Sequence, residues 1–156
     1  MQDAAPSTTE TYVLDDIIFN DDARMAVWIH ERLGIEAPVT TMFKAFGLIR
    51  DGQVIAGAYF ANLVDLADYK DIMFAAACDV PVQDCRKGLK RVFEYPFVEL
   101  GLPRVTAQIA MTNHKALDQA TILGFRMEGV KRFMGPGRCD VGVFGLYPEN
   151  CPFLKG

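Results

Sequence analysis

Candidate acid or base groups in this sequence are Asp71, Asp79, His114, Glu128, Asp140 and Tyr147. Asp79 follows the apolar run DIMFAAAC, so it stands at the end of a buried strand. Burial there would raise its pKa toward the range of a general base, although a strand-end Asp is more often a turn residue. Histidine is the side chain type suited to proton transfer near neutrality, but His114 opens a helix, where exposure is the ordinary outcome. Cys78 and Cys139 are nucleophile types, yet neither has a His beside it, and strand cysteines are mostly core filler. The remaining cysteines are Cys85 and Cys151, and the histidines are His30 and His114. With no C-x-x-C pair among them, no zinc site is expected. Arg86, Lys87, Lys90 and Arg91 cluster at the start of a helical pattern. They suit a phosphate bound by charge, and equally a solvated basic face.

These groups must be positioned by regular elements. In NHKALDQATILGFRMEGVKR, Asn113 is a favoured N-cap, Ala116 and Ala120 are small, and Gly124 suits a left-handed helix end with Phe125 packed behind it. The spacing predicts a helix over 114–123 and a strand over 127–134. Before it, 11–19 reads as one strand and 20–34 as a helix capped by Asn20 or Asp21 and ended by Gly34. Two β-rich runs within 41–63 flank Asp51-Gly52, a hairpin signal. The run 71–78 lacks polar alternation and reads as a central strand. A helix over 83–101 carries the stripe Leu89, Val92, Phe93, Phe97 and Leu100, with Pro96 set to kink or loosen it. Strands at 104–111 and 139–147 complete the order β-α-β-β-β-α-β-α-β-β, with a turn at 135–138. Strand–helix–strand units imply crossovers onto a mixed sheet. Residues 1–10 read as a loose tail and 11–156 as a single domain.

The chain has 156 residues, a net charge of −4 and a pI of about 5.1, which argues against a general nucleic-acid binder. No apolar run approaches the roughly 20 residues of a membrane span. The N-terminus is polar and does not resemble a signal peptide. A cytoplasmic protein with reduced thiols is the expectation. Trp28, Tyr59, Phe60 and Tyr69 are aromatics for either a ligand groove or the core.

The run FVELGLPRVTAQIAMTNHKALDQATILGFRMEGVKR, Phe97 to Arg132, resembles the GCN5-related N-acetyltransferases (GNAT). It is closest to their ribosomal-protein N-terminal acetyltransferase branch. The resemblance is carried by Glu99-Leu100-Gly101-Leu102, Arg104-Val105, Asn113, Leu123-Gly124-Phe125, Glu128-Gly129-Val130 and Arg132, and by Asp140, Phe144, Gly145 and Leu146 in the last strand. It covers about the last third of the chain. The resemblance implies an α+β fold, layered α/β/α. Its mixed central sheet would have about seven strands, of which the fourth and fifth, 71–79 and 104–111, are splayed around acetyl-coenzyme A. It implies that Asn113 hydrogen-bonds the cofactor arm and that a main-chain amide within 76–79 holds the thioester oxygen. The tyrosine that often protonates the sulfur is replaced by Ala120.

The family's phosphate signature, Arg/Gln-x-x-Gly-x-Gly/Ala, fits poorly. One register places it on Val80-Pro81-Val82-Gln83-Asp84-Cys85, another on Gln83-Asp84-Cys85-Arg86-Lys87-Gly88, and both stay open. The catalytic candidates are therefore Asp79, Asn113 and Tyr147. The cofactor candidates are Cys78, Val80, Gln83, Asp84, Cys85, Arg86, Lys87, Gly88, Asn113 and Ala116, and no metal is expected. The implied activity moves an acetyl group from acetyl-coenzyme A to a primary amine: a peptide N-terminus, a lysine or a small amine. The alternative is a binding or structural module of the same fold with weak or lost catalysis. The expected partners are acetyl-coenzyme A and the amine acceptor, with a homodimer left open and no membrane.

Overall fold

The structure is a computed structural model that describes residues 10–34 and 43–154. The expected tail at 1–10 lies outside the described residues except for Glu10.

The chain opens with a hairpin, β1 (Tyr12–Leu14) and β2 (Ile17–Phe19), where a single strand was expected. Asp15 and Asp16 take φ of 52° and 63°, and this pair of left-handed residues turns the chain back on itself. Short polar side chains tolerate that conformation, so two aspartates do the work usually given to Asn-Gly. Helix α1 (Asp22–Leu33) follows and ends at Gly34, φ 68°. Strands β3 (Phe43–Arg50) and β4 (Gln53–Leu66) form the expected hairpin around Asp51-Gly52, both at positive φ. β4 then pairs with β5 (Tyr69–Cys78) as far as Leu66–Tyr69. The segment 62–70 is thus strand and tight turn, with a register shift between Ala61 and Val64.

A continuous helical run comes next. A 3₁₀ turn (Val82–Cys85) leads into α2 (Arg86–Glu94), which widens into a π turn (Tyr95–Glu99). Pro96 has no N–H to give, and the wider turn closes instead through Leu100 N–H to the Tyr95 carbonyl at 3.0 Å. The loosening expected at Pro96 takes this form. Then come β6 (Val105–Ala110), α3 (His114–Leu123), β7 (Arg126–Lys131) and β8 (Val141–Leu146).

All eight strands form one sheet, in the order β1-β2-β3-β4-β5-β6-β8-β7. The extra strand over the expected seven is the split first one, so the fourth and fifth expected strands are β5 and β6. Strand alternation sorts the core. Ala45 and Gly47 face α1, and a Cβ on Gly47 would lie 2.7 Å from Met25 Sδ. Phe46, Phe60 and Phe74 face α2 and α3, where they pack with Phe93, Phe97 and Phe125. Helices therefore cover both faces, giving the α/β/α layering. Among the described residues, no helix is long and apolar enough to cross a membrane.

Candidate functional site

β5 and β6 run parallel, and one register pair joins them, Met73 with Thr106. The junction is stitched by side chains. The buried Thr106 hydroxyl donates to Asp71 Oδ2 at 2.6 Å, and Arg104 Nε donates to Asp71 Oδ1 at 3.3 Å. Past this point the strands part. A groove of about 610 Å³ opens between them. Phe74, Ala75 and Ala76 form one wall and Ala107 to Ala110 the other. Asn113, Ala116, Gln119 and Ala120 of α3 lie along it, and Leu33, Gly34 and Met134–Pro136 form its rim. The small α3 side chains keep the slot open, while Phe74 and Phe125 stack at 5.6 Å near its closed end.

The main chain of β5 is exposed to this slot. Asp79 N–H donates to the Ile55 carbonyl, on the β4 side, at 2.8 Å. Alternation along a regular strand then turns the amides of Ala76 and Cys78 the other way, toward β6. No further β5–β6 pair takes them up among the described residues. α3 reaches across the far end of the slot to Cys78. Lys115 Nζ donates to its carbonyl at 3.3 Å and Gln119 Nε2 to its Sγ at 3.1 Å.

Of the expected site residues, the groove brings together Asn113 and Ala116. Asn113 Oδ1 caps α3 by accepting from Ala116 N–H at 3.2 Å, so its Nδ2 stays the group able to donate to a ligand. Cys78 lies at the end of the slot with its thiol raised, chiefly by burial and against the opposing charge of Lys115.

Asp79 does not meet expectation. Arg32 binds both its oxygens, Nε at 2.8 Å and Nη2 at 2.9 Å, and these hydrogen bonds hold its carboxyl below the usual range. Its side chain is 46% exposed, so the desolvation that would have raised its pKa is too weak to compete. Tyr147 is at the wrong end of the sheet. β8 is antiparallel to β6 and pairs Leu146 with Val105, whereas the groove opens toward Ala110. Its hydroxyl instead donates to Glu128, which also binds Arg104. The bond to Glu128 raises the Tyr147 pKa, and Arg104 lowers that of Glu128.

The 80–88 stretch lies outside the groove lining. Gln83, Asp84 and Cys85 sit in the 3₁₀ turn, where Asp84 N–H already donates to the Pro81 carbonyl at 2.9 Å. Cys85 is core, with a thiol pushed up to about 11 by burial. Arg86 leans over the Phe153 ring at 5.3 Å, and Lys87 is exposed. Gly88 is a packing residue, because its Cβ would lie 2.4 Å from Leu48 Cδ2. Val80 is half-buried and packs against the core. The aromatics offered for an acceptor groove are elsewhere. Phe60 is core, Tyr59 bonds His30 at 2.8 Å, Tyr69 is exposed in the β4–β5 hairpin, and Trp28 carries the Arg32 guanidinium at 3.4 Å.

Sequence reasoning missed Gln119, Lys115 and Arg32. Gln119 lies three residues beyond Ala116, so helical spacing from Asn113 was the signal for it. Nothing local announces Arg32, whose partner is 47 residues away. The groove suits an elongated, mostly apolar chain with amides to pair, as the pantetheine arm of a coenzyme A is. It suits phosphates less well, with no glycine from Val80 to Cys85.

No family model and no curated protein matches the sequence. Solved structures do match. A spermidine N-acetyltransferase chimera from Vibrio cholerae and hSSAT shares 15% identity at a TM-score of 0.65, over 90% of this chain and 98% of that one. RimJ of Mycobacterium smegmatis, in complex with CoA-disulfide, shares 16% at a TM-score of 0.63, over 87% and 83%. A ribosomal-protein-S5-alanine acetyltransferase from Vibrio fischeri shares 14% at 0.59, over 85% and 72%. The eight-stranded mixed sheet, parted between β5 and β6 and covered on both faces, is thus the fold of the GCN5-related N-acetyltransferases.

Proposed function

We propose that this protein binds acetyl-coenzyme A in the β5–β6 groove and transfers its acetyl group to a primary amine. The observation that carries the reading is the opening of the sheet after Met73–Thr106, with the Ala76 and Cys78 amides turned into the gap. The pantetheine arm would replace β6 as their partner, and Asn113 Nδ2 would donate to it. The neighbours' acetyltransferase names and the bound CoA-disulfide in one of them support the same reading.

The reaction forms a C–N bond and breaks a C–S bond, with the amine proton lost and the thiolate protonated. A main-chain amide such as that of Ala76 would polarise the thioester oxygen, and the apolar walls would exclude water from it. The described lining residues include no ionisable side chain, so the amine would enter as its free base and lose its proton to solvent. The same absence of an acid or base among them, together with the glycine-free turn, favours a second reading: a module that binds coenzyme A and transfers little or nothing.

The test begins with a coenzyme A titration followed by melting temperature. Ligand at about a hundred times its dissociation constant should add roughly 2.7 kcal/mol of stability. Ala116→Phe should abolish the shift, because the ring fills the slot, while leaving the unliganded melting temperature nearly unchanged. No shift with the wild-type chain at millimolar coenzyme A sinks the proposal. Thiol release from acetyl-coenzyme A with a panel of polyamines, lysine peptides and free peptide N-termini then separates the enzyme from the module.

A further inference from the structure

The slot has an owner for its apolar arm but, from the sequence signature, none for its charge. Main-chain amides freed by glycine would ordinarily meet a pyrophosphate after β5, and here that place is a 3₁₀ turn holding Asp84. Of the cations expected to compensate, Arg86 lies over Phe153, Arg91 binds Glu99 at 2.8 Å, and Lys87 and Lys90 are exposed on α2.

We infer that Lys115 clamps the pyrophosphate of coenzyme A at the open end of the groove, in place of the missing glycine amides. The inference rests on the proposed function. Lys115 stands between Asn113 and Ala116, both of which line the slot, and its side chain spans from α3 to the last carbonyl of β5. It therefore crosses the point where an arm paired with the Ala76 and Cys78 amides leaves the sheet. Its Nζ contacts a neutral oxygen and, among the described residues, forms no ion pair, so two of its three N–H groups remain to donate. Asp79, the residue after that carbonyl, has both oxygens bound by Arg32, and Asp118 lies three residues further along α3. Arg32, Asp79 and Lys115, beside the end of β5, carry one positive charge more than negative between them. The ammonium is exposed, so an anion can reach it from solvent.

The experiment compares dissociation constants for coenzyme A, dephospho-coenzyme A and pantetheine, by calorimetry, in wild type, Lys115→Met and Lys115→Arg. Lys115→Met should weaken coenzyme A and dephospho-coenzyme A by roughly tenfold or more, the size of a lost hydrogen bond to a charged group. It should leave pantetheine binding unchanged, and Lys115→Arg should restore most of the loss. Unchanged coenzyme A affinity in Lys115→Met overturns the inference alone. So does an equal loss for pantetheine, which would make Lys115 a shaper of the slot, or a loss confined to coenzyme A, which would move the contact to the 3′-phosphate. A wild-type chain that binds none of the three ligands overturns the proposed function and this inference with it.

Discussion

At the scale of single residues, partners decide chemistry. Asp79 is a carboxylate whose character Arg32 sets, with the guanidinium itself resting on Trp28. Because the folded state depresses its pKa, the pair stabilises above the ordinary carboxylate value of about 4. That stability is lost as pH falls through the lower, folded value. Asp79→Asn should therefore cost under about 1 kcal/mol at neutral pH, since both groups are partly exposed. Melting curves of the two proteins should converge as the medium is acidified. Were acetyl transfer detected, Asp79→Asn should leave the shape of its pH profile near neutrality unchanged. A lost alkaline-rising limb would return Asp79 to the role of base. The sequence showed that Asp79 ends a buried strand, but its partner comes from α1, and a contact across 47 residues has no local signature.

At the scale of elements, local rules were the most readable. The helix over 114–123, its Asn113 cap and its Gly124 stop have the expected bounds. Gly124 also shows how tertiary packing reinforces a local choice. Its φ is 100°, and a Cβ would lie 2.3 Å from the Asn150 carbonyl oxygen. Backbone strain and a clash with main chain add together. Gly124→Ala should destabilise by roughly 2–4 kcal/mol in chemical denaturation, with the slope against denaturant unchanged. A loss below half a kcal/mol would mean the C-terminal segment yields. Where the reading of elements slipped, the cause was also physical. The aspartates at 15 and 16 permit either an extended strand or a reversal, and only pairing of β2 with β3 makes the reversal worthwhile. Pro96 disfavours an α turn, but the choice of a π turn comes from the buried Pro96 and Phe97.

At the scale of the whole molecule, the site is a defect in a sheet, and something must limit the defect. The Asp71–Thr106–Arg104–Glu128 network draws on β5, β6 and β7 and sits at the apex, with the last register pair. Asp71→Ala would leave a buried hydroxyl and a guanidinium short of an acceptor. It should cost roughly 1–3 kcal/mol of stability. If coenzyme A binds as proposed, the same change should weaken it by letting the apex breathe, although Asp71 is not among the groove's lining residues. Full affinity in a stably folded Asp71→Ala would show that backbone pairing alone sets the gap. The sequence by itself determined the order of strands and helices from α1 onward, the capped α3 and the family likeness, because periodicity, turn residues and caps act over a few neighbours. The tertiary structure alone decided which strands part, which end of the sheet opens, and that Lys115 and Gln119 reach Cys78 while Gly88 packs on Leu48 and Tyr147 lies at the other end of the sheet. Those outcomes depend on where distant segments meet, and a side chain's charge, reach and burial take their meaning only there.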